Sequence, residues 1–130
     1  MLFRSVSAQK KIETEFSRRD QELQRLAKQV QNLEASLEKN GLTLSDSERR
    51  TKERELGDLT RDFQRKQREF REDLNVRQNE EYAVVMDKAN KAVKQIFDSD
   101  KYDLIIQDAV FWSPSIDITE RVIKTMSEVK

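Results

Sequence analysis

Apolar side chains recur at helical spacing in two stretches of this 130-residue chain, one on each side of Gly41. The first stretch runs from Ile12 to Leu37 and the second from Leu56 to Leu74. At about 100° per residue, each set falls on a helix face no wider than about 100°. So narrow a stripe is typical of a coiled-coil seam, which is buried against a partner helix. The nearest partner is the other helix across the glycine, so the pattern predicts an antiparallel helical hairpin.

We call this hairpin the arm, and its apolar stripe the seam. The seam residues are Leu23, Leu26, Val30, Leu33, Leu37, Leu56, Leu59, Phe63 and Phe70. The simpler interpretation is that these side chains hold the two helices together. The alternative is that they also bind a partner, either along the borders of the seam or between the helices when these separate.

Local signals predict where the helices begin and end. The first helix is expected from Ser7 to about Asn40, because Asn40 and Gly41 both tolerate the left-handed backbone that ends a helix. Ser45 begins an S-x-x-E capping box, which marks the start of a second helix. The second helix is expected to continue to about Asp98, so it is longer than the first and needs further packing partners.

The chain is predicted to be a single domain, residues 1–130, with two parts. The arm comprises residues 7–98, with its turn near residues 40–45. From about residue 82 to 98 the apolar face widens, as expected for a helix that enters a core. Residues 101–130 are predicted to complete that core, which we call the body.

The body is predicted to contain two short strands and a closing helix. Tyr102 to Ile106 is apolar and β-branched without alternation, and Ala109 to Trp112 has the same character. Asp117 is placed to cap the last helix. The expected core residues are Leu104, Ile105, Ile106, Val110, Phe111 and Trp112. Because a two-stranded hairpin is marginal in water, we expect copies of the chain to associate and share this core.

The predicted fold class is therefore mainly α, a long antiparallel coiled-coil hairpin with a small strand pair and a C-terminal helix.

Composition excludes several kinds of chemistry. The chain has no cysteine and no histidine, which excludes zinc and haem sites built on those ligands and Ser-His-Asp catalysis. It also lacks a glycine-rich phosphate loop, so we expect no enzyme activity, no metal and no cofactor. Its apolar runs are too short to span a bilayer.

Three segments resemble the Skp (OmpH-type) family of periplasmic chaperones. Residues 16–24, FSRRDQELQ, are similar to the opening of the family's first arm helix. Residues 77–81, RQNEE, are similar to the segment before the returning helix enters the body. Residues 102–124, with Asp-Ile-Thr at 117–119, are similar to the closing strand pair and helix. The resemblance covers residues 8–130.

The resemblance implies a homotrimer with a small β body and three helical arms that enclose a cavity. Such chaperones hold unfolded outer-membrane β-barrel proteins in the periplasm without ATP, so the same location and clients are implied here. Family members usually begin with a signal peptide and a first body strand. Met1 to Val6 does not match either, and we expect this N-terminus to be truncated. Well-known members are also strongly basic, whereas this chain has 25 basic and 25 acidic residues.

Five arginines of the second helix lie within about 60° of one another, nearly opposite the seam. They are Arg50, Arg54, Arg61, Arg65 and Arg68. The simpler interpretation is a solvated face with ion pairs at i,i+4 spacing. The alternative is a surface that steers acidic segments of unfolded protein, or that contacts anionic lipid such as lipopolysaccharide. Nucleic acid is disfavoured, because no aromatic residues interleave with the arginines.

Two other function classes remain open at this point. The chain could be a structural coiled-coil scaffold or an adaptor that binds one specific folded partner. A prefoldin-like cytosolic chaperone fits less well, because prefoldin arms carry their strands between the two helices. Here both predicted strands follow the second helix. Breadth of binding separates a chaperone, which accepts several unrelated unfolded proteins, from an adaptor.

Overall fold

The computed structural model describes residues 6–129 of the chain. Three α-helices make up most of it: α1 at Val6–Asn40, α2 at Asp46–Ser99 and α3 at Thr119–Met126. A short 3-10 helix at Pro114–Ile116 precedes α3. The predicted bounds of the first two helices are confirmed to within one residue. At about 1.5 Å per residue, α1 and α2 are about 50 and 80 Å long.

The described chain divides into two compact units. One unit comprises residues 9–77, and the other comprises residues 6–8 and 78–129. The long helix α2 contributes to both units. The first body strand of the family is expected to be missing at the N-terminus. Residues 1–5, on which this expectation falls, lie outside the described residues.

The predicted capping box is present where the turn after α1 ends and α2 begins. The hydroxyl of Ser45 accepts the backbone N–H of Glu48 at 3.2 Å, and a Glu48 carboxylate oxygen accepts the backbone N–H of Ser45 at 3.1 Å. Asp46 and Glu48 also place negative charge in the first turn, where the helix dipole favours it. The capping box is confirmed.

Three cross-helix ion pairs show that α1 and α2 run antiparallel within the unit of residues 9–77. The pairs are Glu15–Arg77, Arg19–Asp73 and Glu22–Lys66, with nitrogen–oxygen distances of 2.9, 2.9 and 2.7 Å. As the residue number rises along α1, that of the partner on α2 falls, which defines the antiparallel register.

Two phenylalanines pack between the helices in the same region. The rings of Phe16 and Phe70 meet edge to face, with centroids 5.5 Å apart and planes at 84°. The guanidinium of Arg19 lies 5.4 Å from the Phe16 centroid and 5.7 Å from the Phe70 centroid. Both contacts lie within cation–π range. We call residues 12–26 and 66–77, which contain these contacts and the ion pairs, the arm base.

The second unit has a small apolar core between α2 and α3. Ala92, Ile96 and Val122 are buried there, and half-buried apolar side chains pack around them. Val85 and Ala89 are also buried on the same helix face of α2. The predicted widening of the apolar face after residue 82 thus corresponds to buried residues one helical turn apart.

Backbone hydrogen bonds and one ion pair define how the chain leaves α2. The amide of Tyr102 donates to the carbonyl of Phe97 at 3.1 Å, and Lys101 adopts a left-handed φ of 57°. Asp100 forms an ion pair with Arg121 of α3. The segment after α2 is therefore attached at its start to the closing helix.

The predicted strand pair is not present in this structure. Residues 6–129 contain no strand, and the stretch from Tyr102 to Trp112 is irregular. Apolar, β-branched composition predicts strands at these two segments, but such a composition is typical of strands that a sheet already holds on both sides. An isolated two-stranded hairpin is marginal in water, and the described chain supplies no third strand to stabilise it.

Asp117 was predicted to be the N-cap residue of α3, but it lies one residue before the observed N-cap. The helix begins at Thr119, and its N-cap position is Ile118, which makes no capping side-chain bond. One Asp117 carboxylate oxygen nevertheless accepts the backbone N–H of Thr119 at 3.0 Å and its hydroxyl at 2.6 Å. The side-chain contact was predicted correctly, and the start of the helix differs by one residue.

Ser45→Ala tests the capping box. The change leaves the amide of Glu48 without its acceptor, so we expect the free energy of unfolding to fall by about 1 kcal/mol. Urea unfolding followed by far-UV circular dichroism measures this loss. Ser47→Ala is the matched control in the same helical turn, and we expect it to alter stability by less than about 0.5 kcal/mol. Equal effects of the two changes would contradict the assignment.

The arm-base ion pairs predict a specific acid sensitivity. The hydrogen bond from Arg77 lowers the pKa of Glu15, and the hydrogen bond from Lys66 lowers that of Glu22, both below the ordinary 4.5. These pairs therefore stabilise the fold above the ordinary pKa, and their contribution is lost as the pH falls through the lower folded values.

Glu22→Gln removes one of these pairs. We expect the variant to lose less free energy of unfolding than the parent between about pH 5 and pH 3. Urea unfolding at several pH values measures the difference. Glu34→Gln on the same helix is the control, because Glu34 forms no ion pair among the described residues, and its profile should follow the parent. A Glu22→Gln profile that also follows the parent would show that the pair has no stabilising role.

Candidate functional site

The part of the arm nearest the turn contains an open groove between its two helices. We call residues 27–40 and 46–62 the outer arm. The groove has a volume of about 910 Å³, and Leu33 and Leu59 form its apolar lining. Polar side chains from both helices surround these leucines, among them Ser36 on α1 and Thr51 on α2. The groove can therefore accommodate an apolar group between polar edges.

The seam is covered unevenly along the arm. Leu26 is buried in the arm base, whereas Leu33 and Leu59 in the outer arm are only half-buried. The remaining seam residues are also half-buried: Leu23, Val30, Leu37, Leu56, Phe63 and Phe70. Two helices alone leave the flanks of their contact open, so the seam side chains both pack the arm and present apolar surface to the solvent.

The predicted arginine stripe divides between two environments. Arg61 pairs with Asp58 one turn away, and Arg65 pairs with Asp62 at 2.6 Å. Hydrogen bonds from Arg65 to its acidic neighbours raise the pKa of this guanidinium. These two arginines match the solvated-face interpretation.

The other three arginines have no ion pair among the described residues. Arg50 and Arg68 are exposed on α2. Arg54 lines the groove beside Leu33 and Leu59, although the helical wheel placed it away from the seam. The long guanidinium side chain reaches across the flank of the helix, which a wheel of Cα positions does not represent. The five arginines therefore do not share one environment.

The segment between α2 and α3 exposes a series of large apolar side chains. Leu104 is 70% exposed, Val110 is 86% exposed and Phe111 is 92% exposed. Ile106, Trp112 and Ile116 are also exposed, and Ile105 is half-buried. The residues predicted to form an oligomer core are thus at the surface of the single chain. A contiguous apolar segment of this kind is typical of an interaction surface.

Hydrogen bonds to one carboxylate hold part of this segment in place. The hydroxyl and amide of Thr119 lower the pKa of Asp117, and a hydrogen bond from the indole of Trp112 lowers it further. Ser113 and Ser115 also bond to each other at 2.9 Å around Pro114. These bonds involve the end of the segment that adjoins α3, whereas the side chain of Trp112 stays exposed.

Sequence reasoning missed the contacts of Arg19 with the ring of Phe16 on its own helix and with the ring of Phe70 on α2. A register signal was available, because equal counts outward from Thr43 at the turn pair Phe16 with Phe70. The ion-pair partners on α2 lie two to six residues beyond the positions that this count gives, so the count does not identify them. The place of the Arg19 guanidinium beside both rings depends on the packed helices and has no signature in the sequence.

None of the α-helices of residues 6–129 combines the length and apolar character that a membrane span requires.

Comparison with known proteins gives relatives over most of the chain. A chaperone protein Skp of Photorhabdus laumondii is 32% identical over 117 residues, which cover 88% of this chain and 71% of the relative. A chaperone protein Skp of Yersinia enterocolitica is 32% identical over 122 residues, covering 92% and 74%.

A Skp-like protein of Pseudomonas aeruginosa is 26% identical over 128 residues, covering 97% of this chain and 74% of the relative. No solved structure matches the chain. The family model described as outer membrane protein (OmpH-like) matches residues 3–126, nearly the whole chain. The resemblance seen in the arm and closing segments is thereby confirmed, and this chain belongs to the OmpH-like family, which includes the Skp chaperones.

Proposed function

We propose that this protein is a chaperone that binds unfolded outer-membrane and other envelope proteins and prevents their aggregation without ATP. The names of the relatives support the chaperone class, and the OmpH-like family supports a role in the periplasm. The protein acts by binding alone and catalyses no reaction.

The observation that carries this proposal is the incomplete cover of the seam. Half-buried leucines such as Leu33 and Leu59 offer apolar surface along the arm without a closed pocket. An unfolded protein contains many apolar segments, each of which can make a weak contact with such a surface. Many weak contacts together retain the client, while each remains easily exchanged.

We further propose that three copies of the chain form the working assembly. The exposed apolar residues of the segment from Tyr102 to Ile116 become a shared body core, and the two predicted strands form there. Neighbouring copies supply the additional strands that a single hairpin lacks. The three arms then enclose a cavity that receives the client, as the family resemblance implies.

The unpaired arginines have a steering role in this proposal. Arg50 and Arg68 are exposed, so they can attract acidic segments of a client or anionic lipid such as lipopolysaccharide. Screening confines such attraction to about 8 Å at physiological salt. The arginines therefore orient clients that are already close to the arm, and the apolar contacts retain them.

Leu33→Asp tests whether the seam holds clients. The change replaces one of the two leucines that line the groove by a carboxylate, which removes apolar surface from the arm. We expect about tenfold more protein to be needed to suppress aggregation of diluted, unfolded β-barrel proteins, because weak contacts multiply. Light scattering of several unrelated clients measures this. Leu42→Asp is the matched control, since Leu42 is fully exposed at the turn, and it should resemble the parent.

Two results would contradict the proposal. A Leu33→Asp variant that holds clients as well as the parent would show that the arm is not the binding element. A parent protein that suppresses aggregation of none of the clients, while binding one folded partner tightly, would favour the scaffold or adaptor class instead.

A further inference from the structure

Within the unit of residues 9–77, the cross-helix ion pairs that the structure describes lie in the arm base. The three cross-helix ion pairs involve α1 residues between Glu15 and Glu22 and α2 residues between Lys66 and Arg77. The outer arm, residues 27–40 and 46–62, has no cross-helix ion pair or side-chain hydrogen bond in the described chain. Only apolar contact therefore closes the outer arm.

Burial follows the same division. Ile12, Phe16 and Leu26 are buried in the arm base. No residue of the outer arm is buried, and its seam leucines are all half-buried. Regions with few buried apolar contacts and exposed backbone open at lower free energy than the rest of a fold. The outer arm is thus the part of this unit that opens most easily.

Gly57 adds to this difference. A methyl group at Gly57 would meet nothing closer than a guanidinium nitrogen of Arg61 at 4.0 Å. Packing therefore does not require glycine there, although glycine destabilises a helix interior relative to alanine. Its position next to Leu56 places the weakest helix former of α2 inside the outer arm.

We propose that the outer arm opens while the arm base stays closed, and that the opened groove takes an apolar segment of an unfolded polypeptide between its two helices. The inference rests on the proposed function and names the place on the arm where a client segment is held. Opening makes the half-buried leucines of both helices accessible at once, so one client segment can contact two apolar surfaces.

The charges around the groove favour this occupant over an anionic one. The groove is bordered by the carboxylates of Glu55, Asp58 and Asp62 and by one guanidinium, that of Arg54. Asp58 and Asp62 are paired with Arg61 and Arg65, so the border offers no excess of positive charge to hold a polyphosphate or an anionic lipid headgroup. Apolar side chains suit Leu33 and Leu59, and a lysine or arginine beside the apolar segment suits the carboxylate of Glu55.

A reversible cross-link tests this inference. Ser36 and Thr51 line the groove from opposite helices, and the chain has no cysteine of its own. The double variant Ser36→Cys/Thr51→Cys, joined by a short bifunctional thiol reagent with a cleavable linker, keeps the outer arm closed. We expect about fivefold more cross-linked protein to be needed to suppress aggregation of an unfolded β-barrel protein, with recovery after cleavage.

A second cross-link serves as the matched control. Glu22→Cys/Lys66→Cys closes the arm base by the same chemistry, and we expect its potency to stay within about twofold of the parent. Full potency of the protein cross-linked in the outer arm would overturn the inference while leaving the proposed function intact. Lack of aggregation suppression by the uncross-linked parent would instead overturn the proposed function.

Hydrogen exchange tests the opening without any client. We expect amides of residues 30–40 and 48–60 to exchange at least about tenfold faster than those of residues 14–26 and 66–76. Gly57→Ala should slow exchange in the outer arm by about fivefold and leave the arm base unchanged. Equal protection of the two regions in the parent would overturn the proposed opening.

Discussion

The stability of this fold is limited because two long helices and a short C-terminal segment can bury only a few apolar side chains. Among residues 7–129, eight apolar residues are buried, and Ala92, Ile96 and Val122 form one cluster. A two-helix contact cannot enclose its own flanks, so most of the seam stays half-buried. The open groove of the outer arm and the exposed segment between α2 and α3 both reflect this limit.

A chaperone that holds unfolded proteins benefits from the same limit. Fully buried seams would give a stable arm with nothing to offer a client, whereas fully exposed ones would make the arms aggregate. The arm base combines Arg19, two phenylalanine rings and three ion pairs, and it fixes the register. The outer arm lacks such contacts in the described chain, and we propose that it exchanges its own apolar contacts for those of a client.

Local periodicity predicted most of what the structure contains, because helices depend on contacts three or four residues apart. The bounds of α1 and α2 and the Ser45 cap are examples. The strands at Tyr102–Ile106 and Ala109–Trp112 depend instead on which chain lies beside them, and composition cannot supply that partner. Arg54 in the groove was missed for a related reason, since side-chain reach across a helix flank depends on the packed geometry.

Whether copies share the segment from Tyr102 to Ile116 is the central question, because the proposed cavity exists only if they do. Light scattering on a sizing column gives the solution mass of the 15.4 kDa chain directly. We expect a mass of three chains, and a shift towards one chain in the Phe111→Asp variant, whose charge would lie in the shared core. A parent protein with the mass of a single chain would contradict this account.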